Sequence, residues 1–187
     1  MAVDAFLKLW SKGGSQLIGE SSDDNMKDAI EVLDFSVRSQ SLSGHKKKKK
    51  KKQQDKDSDE DRHEESKSKQ MFTLKLTKDL DRSSPLLAQS YSSNRSTVVE
   101  PFEKGVLFVR KPGAFNFIFL KMTFLGLYVT DYKMSVKSET SIPTEDVSFG
   151  FRVLGINYVP QLTTGGRGKP KFAGWDLRAN ERNDHPA

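Results

Sequence analysis

Closely spaced runs in which apolar and polar residues alternate fill the second half of the sequence. The runs read GVLFVRK from Gly105, AFNFIFLKM from Ala114, FLGLYVTDYKM from Phe124 and VSFGFRVLGINY from Val147. Alternation with a period of two places successive side chains on opposite faces of a β-strand, and aromatic and β-branched residues favour that structure. Many short strands with little helix favour an all-β barrel or sandwich.

The run AFNFIFL is apolar on both of its faces. Phe115, Phe117 and Phe119 point one way in an extended strand, whereas Ile118 and Leu120 point the other way. Such a strand cannot leave one face in water without exposing large apolar side chains. We therefore expect it to be buried on both faces or partly covered by another subunit.

The run VSFGFRVLGINY changes phase at Leu154–Gly155. A phase change of one residue beside a glycine predicts a β-bulge, which bends a strand around a corner of a barrel or sandwich. The segment GWDLRAN, residues 174–180, is predicted to form the last strand of the domain. Residues 181–187 are predicted to be a C-terminal tail.

The first half of the chain contains further strands and one helix. DAFLKLW and EVLDFSVR are predicted strands, SSDDNMKD between them is a predicted loop, and MFTLKL is a predicted half-buried strand. In DRSSPLLAQSYSS, Ser84 suits the N-cap and Pro85 suits the first helical position. We expect a helix of about two turns there, and no other substantial helix.

Length and cysteine content indicate one domain that needs no cross-links. The 187 residues are enough to bury a real core, and the absence of cysteine excludes disulfides and thiolate metal sites. No apolar run approaches the length of about 20 residues that a transmembrane helix needs. The N-terminal MAVDAFLKLWSKGG lacks the basic and long apolar regions of a secretory signal peptide, so we expect none.

Residues 45–69 form a charged segment of low complexity. They hold eleven of the 31 basic and seven of the 25 acidic residues, a net charge of +4, which leaves +2 for the other 162 residues. No apolar residue occurs from His45 to Gln70, so the segment cannot bury surface to offset the entropy lost on ordering. We therefore expect a solvated, disordered loop insertion, and the basic character of the chain belongs to this segment.

Residue types that carry catalysis or bind metals are scarce. The histidines are His45, His63 and His185, which lie in the charged segment or the tail, where no packed pocket would tune them. The Gly-rich TTGGRGKPK, residues 163–171, lacks the strand-to-helix context of a phosphate loop and is predicted to be a basic turn. Acidic pairs such as Asp23–Asp24 lack the glycine and distal glutamate of an EF-hand loop. We predict no catalytic, cofactor-binding or metal-binding residues, and no enzymatic activity.

Six short segments follow one another in a definite order along the chain. They read MAVDAFLKL, GESSDDNMKDAIEVLDFS, SSPLL, VRKPG, TEDVSFGFRVLGINYVPQ and KFAGWDLRAN. This ordered set resembles the haemolysin-coregulated protein (Hcp) family, the tube proteins of type VI secretion. The resemblance covers nearly the whole chain except residues 45–69.

The resemblance implies a fold, an assembly and a set of partners. Residues 1–180 are expected to form a β-barrel of two packed antiparallel sheets with one short flanking helix. Family members form homohexameric rings that stack into tubes, contact a contractile sheath and a spike, and carry small effector proteins. They are made in the bacterial cytoplasm and are secreted through the apparatus without a signal peptide. No cofactor, nucleic acid or membrane insertion is expected.

The charged segment falls where members of the family have a shorter loop that projects from the ring and touches the neighbouring ring. Its basic and acidic parts suit pairing between subunits or stacked rings, although exposed ion pairs contribute only about 0–1 kcal/mol each. The candidate contact residues are Lys46, Lys47, Lys48, Lys49, Lys50, Lys51, Lys52, Asp55, Asp57, Asp59, Glu60 and Asp61.

Two alternative functions remain open at this stage. The lysines of the charged segment would neutralise phosphates in a nucleic-acid-binding β-barrel, with a log–log salt slope of roughly −6 for seven contacts. The adjacent acidic residues compete for the same lysines, which argues against this function. The same fold would also serve as a phage-like tail-tube subunit of another contractile machine.

Overall fold

The computed structural model describes five stretches of the chain, residues 4–42, 69–93, 102–111, 117–136 and 142–183. Within them lie eleven β-strands and one α-helix, α1 (Ser84–Ser93). The strands are β1 (Asp4–Ser11), β2 (Gln16–Leu17), β3 (Ile30–Val32), β4 (Asp34–Leu42), β5 (Lys69–Asp79), β6 (Phe102–Lys111), β7 (Phe117–Ser135), β8 (Thr144–Gly150), β9 (Val153–Tyr158), β10 (Lys171–Asp176) and β11 (Glu181–Arg182). The prediction of a mainly β chain with one short helix is confirmed. In the described part of the chain, no helix is long and apolar enough to span a membrane.

All strand pairs are antiparallel and belong to one branched sheet. One branch has the order β11-β10-β9-β7-β6-β1-β2, and β3 also pairs with β1. The other branch runs from β7 through β8 and β5 to β4. The predicted closed barrel is not formed by the described strands, because β2, β4 and β11 each pair on one side only and leave the sheet open.

Strand β7 connects the two branches. The sequence predicted two strands here, AFNFIFLKM and FLGLYVTDYKM, but a single strand of 19 residues runs through both. Its first half pairs with β6 and β9, and its second half pairs with β8. Gly126 has a φ of 63°, and the register with β8 shifts between Val129 and Asp131. These irregularities divide the sheet into a first wing (β1–β3, β6, β9–β11 and the start of β7) and a second wing (β4, β5, β8 and the end of β7).

Both wings contribute to one hydrophobic core. Phe102 and Phe124 of the first wing lie against Phe149 and Phe151, with ring centroids 6.2 Å and 4.9 Å apart. Leu87 adds an apolar side chain from α1. Further buried members of this core are Leu7, Leu9, Leu74, Leu76, Leu107, Leu127, Val129 and Val147. Leu74 and Leu76 are buried as the alternation in MFTLKL predicted.

The phase change in VSFGFRVLGINY has a different cause from the predicted bulge. The register of β7 with β9 runs without interruption through Leu154 and Gly155, so the bulge prediction is wrong. Instead, the chain breaks at Phe151 and Arg152, where it leaves β8 in the second wing and enters β9 in the first. The backbone amide of Arg152 donates to the Leu125 carbonyl at 2.9 Å, which fixes this transfer between wings.

Four element boundaries also differ from the sequence predictions. The predicted strand of residues 174–180 is observed as Lys171–Asp176, and residues 177–180 form a turn. EVLDFSVR is divided at Leu33 into β3 and β4, because the Leu33 amide donates to the Thr77 carbonyl as the chain changes wing. Helix α1 begins at Ser84, and the Ser83 carbonyl accepts from the Leu87 amide at 3.1 Å, so Ser83 takes the N-cap position predicted for Ser84. Glu181–Arg182, assigned to the tail by the sequence, pairs with β10.

Candidate functional site

A loop of residues 19–29 covers the outer face of the first wing, opposite the main core. Phe6, Phe108 and Ile118 project from three neighbouring strands, and Met26 and Ala29 of the loop are buried against them. The sequence predicted that the strand containing Ile118 would be buried on both faces or covered by another subunit. At Ile118 the cover is supplied by this chain itself.

Arg110 fastens this loop to the sheet. Its Nε lies 3.1 Å from Asp4 Oδ2, its Nη2 lies 2.6 Å from Asp23 Oδ2, and its guanidinium carbon lies 4.8 Å from the Phe6 ring centroid. Asp23 Oδ1 also accepts from the Met26 amide at 3.1 Å. The Arg110 hydrogen bond lowers the pKa of Asp23 against the opposing effect of burial, and Asp23 in turn raises the pKa of Arg110. Asp23, which belongs to an acidic pair that lacks the features of an EF-hand loop, is therefore engaged in an ion pair.

The loop can close on itself because residue 19 is glycine. The Gly19 amide donates to the Asp28 carbonyl at 2.9 Å, and a Cβ on residue 19 would lie 2.3 Å from the Ala29 carbonyl oxygen. No real side chain tolerates that approach to the backbone. Glycine is thus required at residue 19, because two segments of the loop backbone pack closely there.

A second ionic cluster lies wholly inside the second wing. Lys78 and Glu145 face each other across β5 and β8 and are both 0% exposed. Lys78 Nζ lies 2.7 Å from Glu145 Oε1 and 2.8 Å from Asp81 Oδ1, and it also donates to Ser84 Oγ at 3.1 Å. Ser84 donates to Glu145 as well, so the cluster holds the first turn of α1 against the wing.

Two atoms at the edge of this cluster have no hydrogen-bond partner of normal geometry among the described residues. They are the Tyr132 hydroxyl and Glu145 Oε2, both buried. Burial raises the pKa of Tyr132, and the neighbouring Glu145 carboxylate raises it further by a smaller amount. The phenol therefore stays neutral. The other polar atoms of the cluster bind one another. We interpret the cluster as a fastening of α1 to the sheet.

Sequence reasoning missed Lys78 and Glu145, although a signal was present. Lys78 follows Leu74 and Leu76 at intervals of two, and Glu145 precedes Val147 at the same interval. A charged residue in the phase of buried residues indicates a buried charge that needs a partner. The pairing of β5 with β8, which supplies that partner, is visible only in the fold.

A shallow depression lies on the outer face of the first wing, beside the covering loop. Its volume is about 600 Å³, and Trp10, Lys104, Lys121, Leu125 and Arg152 are among its lining residues. Arg152 Nε is buried and has no hydrogen-bond partner among the described residues. The depression therefore combines apolar surface with three cationic side chains and one carboxylate, that of Glu103.

An acidic pocket of about 240 Å³ lies where β3 meets the ends of β5 and β8. Its apolar residues are Leu33, Leu80 and Ile142, which are 60%, 38% and 52% exposed. Glu31 and Asp79 line the same pocket, and neither makes an ion pair with another described residue. We use the name acidic pocket for these five residues.

A basic margin lies at the β9–β10 side of the first wing. Tyr158 and Leu162 are 45% and 51% exposed. Lys171 pairs with Tyr158, Lys169 lies two residues before it, and both lysines are exposed and make no ion pair with another described residue. These four residues are the basic margin, and Trp175 lies at the other end of β10, where it pairs with Arg182. The Gly-rich segment between β9 and β10 forms the predicted turn, in which Gly165 has a φ of 85°.

Some of the residues singled out by the sequence lie outside the described stretches. This holds for the candidate contact residues from Lys46 to Asp61, for all three histidines and for Phe115. The structure does place the two strands that the charged segment joins, since Leu42 of β4 pairs with Lys69 of β5. Among the described residues, no group of three His, Cys, Asp or Glu side chains is arranged to hold a metal ion.

The fold and its surfaces define a class of protein, and comparisons with known proteins assign the family. The chain is an open antiparallel sheet with one helix, and exposed apolar side chains such as Leu33 and Tyr158 lie at its margins, where surfaces that pack against other proteins carry such residues. The family model "Type VI secretion system effector, Hcp" matches residues 6–158. The chain therefore belongs to the Hcp family of type VI secretion. That family consists of structural secreted proteins that self-assemble into tubes, and it is not an enzyme family.

Solved structures agree with this assignment. Hcp1 from Salmonella typhimurium is 27% identical with a TM-score of 0.67, and the match covers 98% of this chain and 100% of that chain. A type six secretion system protein is 24% identical with a TM-score of 0.72, covering 97% and 100%. A type VI secretion system effector from Yersinia pestis is 21% identical with a TM-score of 0.62, covering 92% and 99%. A comparison with curated protein sequences gave no match.

The buried cluster predicts a large loss of stability when one partner is removed. Lys78→Met leaves the Glu145 carboxylate buried without its cation and should cost about 3–5 kcal/mol of unfolding free energy. The double variant Lys78→Met/Glu145→Leu should recover much of this loss, because it removes the unpaired charge. Urea denaturation measures both, with exposed Lys75→Met as the matched control. A single variant as stable as the control would contradict the assigned role of the cluster.

The Arg110–Asp23 pair predicts a pH-dependent loss of stability. The pKa of Asp23 is lower in the folded than in the unfolded protein, so its contribution is present above the unfolded value of about 3.9 and is lost as pH falls through the folded value. Asp23→Asn should lower the urea midpoint at pH 6, and the difference from wild type should shrink as pH falls below about 4. A difference that is constant between pH 6 and pH 3 would show that Asp23 titrates normally.

Proposed function

We propose that this protein is the tube subunit of a type VI secretion apparatus, forming hexameric rings that stack into a hollow tube. The observation that carries the proposal is the family match over residues 6–158, together with the likeness to Salmonella Hcp1 over nearly the whole of both chains. The exposed apolar residues on separate margins of the sheet support a subunit that is completed by neighbours. In the ring, the two wings act as the packed sheets of a barrel-like subunit.

The proposal includes the route and the partners of the tube. The subunit is made in the bacterial cytoplasm without a signal peptide, assembles inside a contractile sheath, carries a spike at its tip and leaves through the apparatus. Small effector proteins travel with it. The depression lined by Trp10, Lys104 and Arg152 supports effector carriage, because it offers apolar surface beside cationic groups.

The subunit acts without catalysis in this proposal. Its ionic groups, the buried pair Lys78 and Glu145 and the partly buried Arg110 with Asp4 and Asp23, are engaged with one another and fasten the loop and the helix. Catalytic groups need access to a substrate and a pKa suited to proton transfer. The role of these charges is therefore to hold the surfaces that meet other subunits.

Electron microscopy and sedimentation velocity of the purified protein test the assembly. We expect rings of six subunits with a central channel, at least at high protein concentration, because the exposed margins gain by burial against neighbours. A monomer at every concentration, with no ring in micrographs, would contradict the proposed function.

The charged segment is proposed to act between rings rather than within the subunit. Deleting residues 45–69 should leave the fold and the hexamer intact but change ring stacking or its dependence on salt, because exposed charges interact weakly and are screened. Sedimentation of stacks at low and high salt measures the effect. In the matched variant, serine replaces Lys46–Lys52, so the segment keeps its length and loses these seven positive charges. This variant separates the effect of charge from the effect of length. A deletion variant that is monomeric or unfolded would assign the segment a structural role instead.

A further inference from the structure

The acidic pocket and the basic margin lie at opposite ends of one cross-strand row. The row starts at β3, which Leu33 follows directly, and finishes at β10, which begins with Lys171. At about 4.8 Å between neighbouring strands, its two ends are about 24 Å apart along the sheet. The paired residues, in order, are Val32, Ala5, Val109, Leu120, Tyr158 and Lys171.

The two surfaces are complementary in both charge and apolar character. The acidic pocket presents Glu31 and Asp79 around exposed Leu33, whereas the basic margin presents Lys169 and Lys171 beside the exposed Tyr158 ring. None of the four charged groups has an ion-pair partner among the described residues. A contact between the surfaces would remove apolar side chains from water and pair these charges.

We infer that the acidic pocket of one subunit receives the basic margin of the next, and that this contact closes the ring. The inference rests on the proposed hexamer and names the surfaces that form it. Two different surfaces of one chain make a heterologous contact, which generates a ring when the rotation between subunits closes and a helical filament when it does not. The two surfaces lie at the same position along the strand direction. A contact between them therefore relates neighbouring subunits mainly by a rotation, with little translation along the strands, and this favours a ring over a filament.

Charge reversal tests this arrangement. Variant one is Lys169→Glu/Lys171→Glu, and variant two is Glu31→Lys/Asp79→Lys. Each variant alone meets a like-charged surface, so we expect the subunit concentration at half assembly to rise about tenfold or more. An equal mixture places each reversed surface opposite its complement, so rings should return with three copies of each variant by native mass spectrometry. Lys75→Glu, on β5 and outside both surfaces, is the matched control.

If a charge-reversed variant folds poorly, cysteine cross-linking tests the same contact between subunits. The chain has no cysteine, so Leu33→Cys/Tyr158→Cys introduces the only two thiols. Oxidation should give a ladder of covalent oligomers up to the hexamer. Each single cysteine variant should give no ladder, because neither position meets itself across a heterologous contact.

The possible failures are distinct. Wild-type protein that never forms a ring contradicts both the proposed function and this inference. A wild-type ring that is unaffected by both charge-reversed variants, or variants that lose the ring but do not regain it on mixing, contradict the inference alone. A cysteine pair that gives no ladder from an intact ring contradicts it as well.

Discussion

Strand β7 is the constraint on which the rest of the structure depends. One continuous strand forms hydrogen bonds with β6 and β9 in its first half and with β8 in its second half, so the two wings cannot separate without breaking it. The bend at Gly126 uses a left-handed backbone conformation that a side chain would strain. This bend brings the aromatic rings of both wings into one core, in which Phe124 lies against Phe151.

The charges of the folded part fall into two groups with different physical roles. Lys78 with Glu145 is buried, Arg110 with Asp4 and Asp23 is partly buried, and each of these groups has a close partner of opposite charge. Desolvation makes such groups costly when unpaired, so they specify how α1 and the covering loop attach. The charges of the acidic pocket and the basic margin have no internal partner among the described residues, and this leaves them available for a neighbouring subunit.

Hydrophobic alternation was a sound guide to local structure and a poor guide to where strands begin and end. It correctly placed Leu74 and Leu76 in the core, and its predicted strands overlap all the long strands of the described chain, although it divided β7 into two. It treated the phase change near Leu154 as a bulge, although the chain changes wing at Arg152. Both events shift the pattern by one residue, and only knowledge of the pairing partners distinguishes them. The same limit concealed Lys78, whose partner Glu145 lies 67 residues away.

The sequence by itself determined the β character, the single helix, the charge imbalance of residues 45–69 and the family, because these properties follow from local periodicity, composition and motif order. The tertiary structure alone decided which strands pair, how the loop of residues 19–29 covers Ile118, and which charges are paired. It also brought Leu33, Leu80 and Ile142 into one pocket and placed that pocket level with Tyr158 across the sheet. These outcomes depend on contacts between residues far apart in the chain, which long-range strand pairing sets and local sequence does not encode.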